Sequence, residues 1–129
     1  MKQLLVSLLV IGFVFSCESD EIKGARFFLK GNEALNKGEY KEAIRLYSEA
    51  IDKYPALEDA YNNRGVAYYK SGEYFNAIQD YSKVILEMND EHFKARGNRV
   101  DAYIASGRNE DAIRDLRWAK EYFPDTAMV

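Results

Sequence analysis

The chain has 129 residues but only one cysteine, one histidine and two prolines. A single thiol, Cys17, excludes an intramolecular disulfide. One thiol and one imidazole (His92) fall short of a structural zinc site, so no metal is expected. No serine–histidine–acid set recurs and no glycine-rich phosphate loop appears, so neither catalysis nor a cofactor is expected. No block of five like charges occurs, and the formal net charge is −3, which argues against a nucleic-acid partner. The one sustained apolar stretch, Leu4 to Phe15, is interrupted by Ser7 and Gly12. As a helix it would span roughly 18 Å, short of the ~30 Å hydrocarbon core, which fits a secretory leader better than a spanning helix. Proline is confined to Pro55 and Pro124, where a helix has to stop.

The leader ends in Val14–Phe15–Ser16–Cys17. This resembles the bacterial lipobox, in which an aliphatic, a tolerated and a small residue precede the cysteine. The resemblance implies that residues 1–16 are a signal peptide cut after Ser16 and that the sulfur of Cys17 carries diacylglycerol. Acylation of the new amino group would add a further chain, and two or three chains anchor stably where one binds only marginally. Residues 17–23, with Glu18, Ser19, Asp20 and Glu21, read as a short acidic tether. Acidic residues at this place resemble the surface-export signals of Bacteroidetes lipoproteins, and Glu18 gives no inner-membrane retention cue. The expectation is a lipid-anchored protein of a bacterial envelope, at the outer membrane or cell surface rather than the inner membrane.

What the chain has in quantity is repetition. Gly38–Glu39–Tyr40–Lys41–Glu42–Ala43–Ile44 returns 34 residues later as Gly72–Glu73–Tyr74–Phe75–Asn76–Ala77–Ile78. It returns again, 35 residues further on, as Gly107–Arg108–Asn109–Glu110–Asp111–Ala112–Ile113. Each unit reads as two apolar helical periods joined by a glycine turn. The spacing predicts helices over residues 25–37 and 40–53, 58–71 and 74–88, then 93–106 and 109–122. Gly38, Gly72 and Gly107 supply the left-handed conformation that ends the first helix of each pair. Aromatic residues recurring at these spacings, such as Tyr47, Tyr81 and Tyr103, are expected to fill the space between helices.

A fixed 34-residue period of helix pairs resembles the tetratricopeptide family, over about residues 24–124. The small residue of the first helix is Gly31, Gly65 and then Val100, and the alanine of the second helix is Ala43, Ala77 and Ala112. The large residue one turn on is Tyr47, Tyr81 and Leu116. Phe27 and Tyr61 fill an aromatic slot that Arg96 takes in the third unit. The resemblance implies an all-α fold, an α-solenoid of three antiparallel helix-pair units over residues 24–57, 58–92 and 93–126.

By the same resemblance the first helices line a concave groove that binds a protein or peptide. Its residues would be Phe28, Asn32, Asn62, Asn63, Tyr69, Lys70, Lys94, Asn98 and Asp101. Family members that hold the C-terminal carboxylate of Hsp70 and Hsp90 tails use two asparagines and three cations. Asn32, Asn63 and Lys94 fall on three of those positions, while Phe28 and Asn98 occupy two of the cation slots. Losing two cations removes most of the charge-assisted hydrogen bonding to an anion, so a mixed peptide is expected rather than an acidic tail. On the last helix, Trp118 and Tyr122 stand beside Ile113 and Leu116, enough apolar area to meet a partner or a second copy. The expected function is an envelope-anchored scaffold or adaptor. Its rivals are a self-associating structural component of an envelope assembly, a clamp-type receptor for C-terminal tails, and an enzyme subunit. Cys17→Ala should move the protein from the membrane to the soluble fraction with its circular dichroism unchanged. A variant that stays membrane-bound after salt washing overturns the anchor.

Overall fold

The computed structural model describes residues 18–122 and 124, so the leader, Cys17, Phe123 and residues 125–129 lie outside the described residues. Six helices follow one another. They are α1 (Asp20–Asn36), α2 (Tyr40–Lys53), α3 (Glu58–Lys70), α4 (Tyr74–Lys83, continued by a π-helical turn Val84–Met88), α5 (Phe93–Ala105) and α6 (Asn109–Tyr122). No strand occurs among the described residues. Each helix packs on its neighbours in sequence, and α1 also touches α3, as α3 touches α5. The fold is an all-helical solenoid of three helix pairs.

The ends of α1, α3 and α5 repeat one geometry. Gly38, Gly72 and Gly107 have φ of 75°, 83° and 76°, the left-handed region that a side chain strains to enter. After each glycine the next amide reaches back to the helix, from Glu39 to the Ala34 carbonyl (2.9 Å), Glu73 to Tyr68 (2.8 Å) and Arg108 to Tyr103 (2.8 Å). The glycine amide itself donates to Leu35, Tyr69 or Ile104, which completes a Schellman motif three times over. The chain turns by the same device each time, so the pairs start out alike.

Helix α1 begins at Asp20, not near residue 25, which corrects the reading of residues 17–23 as a tether. The Ser19 side chain accepts from the Ile22 amide, and Asp20 and Glu21 place negative charge in the first turn, where the helix dipole favours it. Gly24 then lies buried against Tyr54, so this extra turn is packed rather than free. His92 plays a similar part for α5, where its Nδ1 accepts from the Ala95 amide at 3.1 Å. The π-turn accounts for the change of period. The second helix of the middle unit is one residue longer than that of the first, and the wider turn takes up the addition.

Within the first two pairs the helices meet at a glycine. A Cβ on Gly31 would lie 2.6 Å from the Tyr47 ring, and one on Gly65 would lie 2.5 Å from the Tyr81 ring. Tyr47 and Tyr81 are the largest fully buried side chains. In the third pair Val100 replaces the glycine and Leu116 the tyrosine, and Val100 is buried.

Between pairs a buried apolar seam carries a polar tie. Arg64 of α3 donates to both oxygens of Asp80 on α4 (2.8 and 2.7 Å) and to Ser48 of the preceding pair's α2 (2.9 Å). Arg99 of α5 repeats this with Asp115 on α6 (2.7 and 2.7 Å) and Ser82 on α4 (3.0 Å). One guanidinium thus ties its own pair together and ties that pair to the one before. Burial holds the Asp80 carboxyl above its usual range, against the pull of the Arg64 hydrogen bonds and charge.

The two kinds of glycine make opposite predictions in urea unfolding. Gly65→Ala should lose about 1–3 kcal/mol, because the buried Tyr81 ring has nowhere to go. Gly97→Ala, exposed in mid-α5 with open space around its Cβ, should gain about 0.5–1 kcal/mol. Equal effects would mean that the pair packing is misassigned.

Candidate binding groove

The first helices of successive pairs touch, whereas α2, α4 and α6 make no comparable contacts with one another. An array whose α1, α3 and α5 lie closer than its outer helices curves towards them. Their exposed faces therefore line the inner side, and the groove residues proposed from the sequence are carried there.

Four of those residues form one hydrogen-bonded chain across all three pairs. Asn63 Nδ2 donates to Asn32 Oδ1 (2.9 Å), Asn62 Nδ2 to Asn63 Oδ1 (3.1 Å), and Asn98 Nδ2 to Asn62 Oδ1 (3.0 Å). Tyr47 starts the chain by donating its hydroxyl to Asn32 Oδ1 at 2.7 Å. Burial pushes the Tyr47 phenol up to about 12, so it keeps its proton and acts as a donor at any physiological pH.

The chain fixes which way Asn32 faces. Its carbonyl accepts twice, from Tyr47 and Asn63, which uses both lone pairs. The amide nitrogen of Asn32 finds no acceptor among the described residues. Asn32 is half-buried, so what it offers a ligand is N–H only. A group docking there has to be an acceptor, a carbonyl or carboxylate oxygen.

The other proposed groove residues divide by exposure. Lys70, Lys94 and Asp101 are exposed, while Phe28, Asn63, Tyr69 and Asn98 are half-buried. Phe28 leans on Tyr47 with ring centroids 5.9 Å apart, and Tyr69 leans on Tyr74 at 5.5 Å. Asn62 is a correction, since at 0% exposure it cannot touch a ligand. It joins α3 to α5 instead. Its alternation with Asn63 would have shown this, because adjacent helix residues point about 100° apart and only one of the two can face the groove. The Arg–Asp–Ser join was not anticipated from sequence, although its spacing is legible at 48–64–80 and 82–99–115.

The proposed contact residues of α6 also part company. Tyr122 is exposed and stacks on Trp118 with centroids 5.1 Å apart. Trp118 is half-buried and covers Arg96, whose guanidinium carbon lies 3.6 Å from the ring centroid. Arg96 also donates to the Asp90 carbonyl (3.1 Å) and reaches Asp115 at 3.4 Å, while its Nε has no partner. Burial pulls its pKa down, and Arg99 alongside adds to the effect. Trp118 thus closes an intramolecular contact first.

Three helix pairs that curve around a polar groove define a helical repeat protein. The residues place it more closely. Residues 31–72 match the family described as TPR repeat and residues 58–90 the one described as tetratricopeptide repeat, and these helix pairs belong to that family. The chain is 34% identical over 100 residues to sperm-associated antigen 1 of Mus musculus, a match that covers 78% of this chain. It spans only 11% of that relative's length. Among solved structures it resembles the first TPR of Spaghetti (RPAP3) bound to the HSP90 peptide SRMEEVD. That likeness has a TM-score of 0.76 and 28% identity, over 84% of this chain and 86% of that one. It also resembles the TPR2B domain of yeast Sti1 in its complex with pHsp70, with a TM-score of 0.73, 28% identity, and 78% and 79% coverage.

Asn62→Ala should destabilise the fold by about 1–3 kcal/mol, because it strands the amide of Asn98 and the carbonyl of Asn63. Lys70→Ala and Lys94→Ala should each stay within about 0.5 kcal/mol, as exposed positions do. Chemical denaturation of the three variants separates the buried member of the groove from its open ones.

Proposed function

We propose that the chain is a non-catalytic adaptor that binds a protein or peptide segment along the α1–α3–α5 groove. We further propose that lipid on Cys17 holds it in a bacterial envelope. The observation that carries the binding reading is Asn32, fixed by Tyr47 and Asn63 so that only N–H faces the groove. A peptide backbone supplies the carbonyl that such a donor needs. Lys94 adds one exposed cation on the third pair, and Phe28 adds an apolar wall on the first. The occupant best matched to this set is a mixed peptide with an apolar side chain near Phe28. The solved relatives that hold HSP90 and HSP70 peptides support peptide binding as the use of this surface.

Those same peptides favour a second reading, a receptor for acidic C-terminal tails. The two readings separate on the chain terminus. SRMEEVD with a free and with an amidated C-terminus should bind weakly and differ by less than about tenfold, because Phe28 and Asn98 supply no positive charge. A larger loss on amidation establishes the tail receptor instead. Peptides selected on the protein from a random library should lose about tenfold or more in affinity on Asn32→Asp, equivalent to about 1.4 kcal/mol. That substitution keeps the acceptor used by Tyr47 and Asn63 but turns the outward donor into an acceptor. Undiminished binding by Asn32→Asp, with the fold intact by circular dichroism, rules out the groove reading.

A further inference from the structure

Each join between pairs is made by the second helix of one pair and the first helix of the next. The receiving face of α2 carries Ile44, Tyr47, Ser48 and Ile51, and that of α4 carries Ile78, Tyr81, Ser82 and Ile85. These are spaced i, i+3, i+4 and i+7, one stripe of a helix. The serine of each stripe accepts from the incoming arginine, Arg64 or Arg99. The same stripe on α6 reads Ile113, Leu116, Arg117 and Lys120. Ile78 and Tyr81 are 6% and 1% exposed, whereas Ile113 and Leu116 are each 52% exposed. The apolar half of a stacking face is therefore retained on α6 and open. The other half of the stripe has changed from serine and isoleucine to two cations, and both are exposed.

We infer that the outer face of α6 receives an amphipathic helix from a partner protein, one carrying a carboxylate where α3 and α5 carry Arg64 and Arg99. An arginine at that place would meet Arg117 instead of a serine. A glutamate there would make a charge-assisted hydrogen bond to Arg117, with Lys120 one turn away. The apolar floor of Ile113 and Leu116 supplies the non-directional part of the association. The incoming helix also needs small residues for close approach, as Ala60, Ala67, Ala95 and Ala102 provide at the two existing joins, all at 0% exposure.

A second copy does not meet these terms. On α1 the places of Ala60, Arg64 and Ala67 are held by Arg26, Lys30 and Glu33, all long, charged and exposed. Stacked head to tail, Arg26 and Glu33 at the alanine places would hold the helices apart, and Lys30 would be set against Arg117. Like charges brought together in this way disfavour association. Of the two occupants expected at this end, a partner or a second copy, we take the partner. This surface is separate from the α1–α3–α5 groove, so either can fail without the other.

The test titrates the full chain with two stapled helical peptides of the α5 sequence, residues 93–105, one unaltered and one carrying R99E. Trp118, the chain's one tryptophan, lies next to Arg117 and reports binding by fluorescence. The R99E peptide should bind at least about tenfold more tightly than the unaltered one, because only it answers Arg117. Leu116→Glu should abolish binding. Arg117→Ser, which restores the serine of the other two stripes, should reverse the preference between the peptides. Both substituted positions are exposed, and circular dichroism confirms that the variants fold. No binding of the R99E peptide up to about 1 mM, equal affinity for the two peptides, or indifference to Arg117→Ser would each overturn the inference. So would a dimer in sedimentation that Leu116→Glu dissolves, which would give the face to a second copy.

Discussion

An array that touches only its neighbours has no central core, so its shape depends on what fixes one pair against the next. Here that constraint is a buried guanidinium. Arg64 and Arg99 each hold a carboxylate of their own pair in a two-pronged grip and a serine of the pair before. Apolar contact between helices tolerates sliding and rotation, since it has no direction. A fork of N–H donors does not, because both prongs lose alignment together. The polar join therefore sets the angle at which α3 and α5 present their inner faces, and the asparagine chain can run from Asn32 to Asn98 only at that angle.

The same join carries a cost. Taking an arginine and an aspartate out of water is unfavourable: burial raises the Asp80 carboxyl despite Arg64, whereas the Asp80 hydrogen bonds and charge hold Arg64 up despite its own burial. Such pairs contribute less to net stability than to the choice of one arrangement among several. That balance suits a protein whose groove floor is assembled from three different units. At Arg96 the compensation is different, because an extra guanidinium beside Arg99 is screened by the indole of Trp118 instead of a second carboxylate. The third pair thus differs chemically at its end from the two it otherwise repeats.

Much of this was legible from residues alone. The glycine strings gave the pairs, and α2 and α6 run over the residues that their spacing indicated. Three left-handed glycines are where the sequence required them. Ser19, Asp20 and Glu21 have two meanings in sequence, charge near a membrane or a capping serine with an acidic first turn, and α1 adopts the second. Asn62 and Asn63 both suit an amide-lined groove by residue type, and only the 100° between them on α3 separates the buried one from the open one. The polar join escaped notice because arginine and aspartate 16 residues apart have no local signature. Only the return of the same interval in the next unit exposes them.

The π-turn at Val84–Met88 has a consequence for how such a chain can change length. One residue added to an ordinary helix swings everything beyond it by about 100°. Here that swing would have turned α5 away from α3 and broken the contact between Asn98 and Asn62. The widened turn absorbs the addition on the solvent side, where Leu86 projects outwards. The downstream pair keeps its phase as a result. A repeat protein that can correct phase locally is free to accept single-residue insertions in its outer helices while the surface that meets a ligand stays in line.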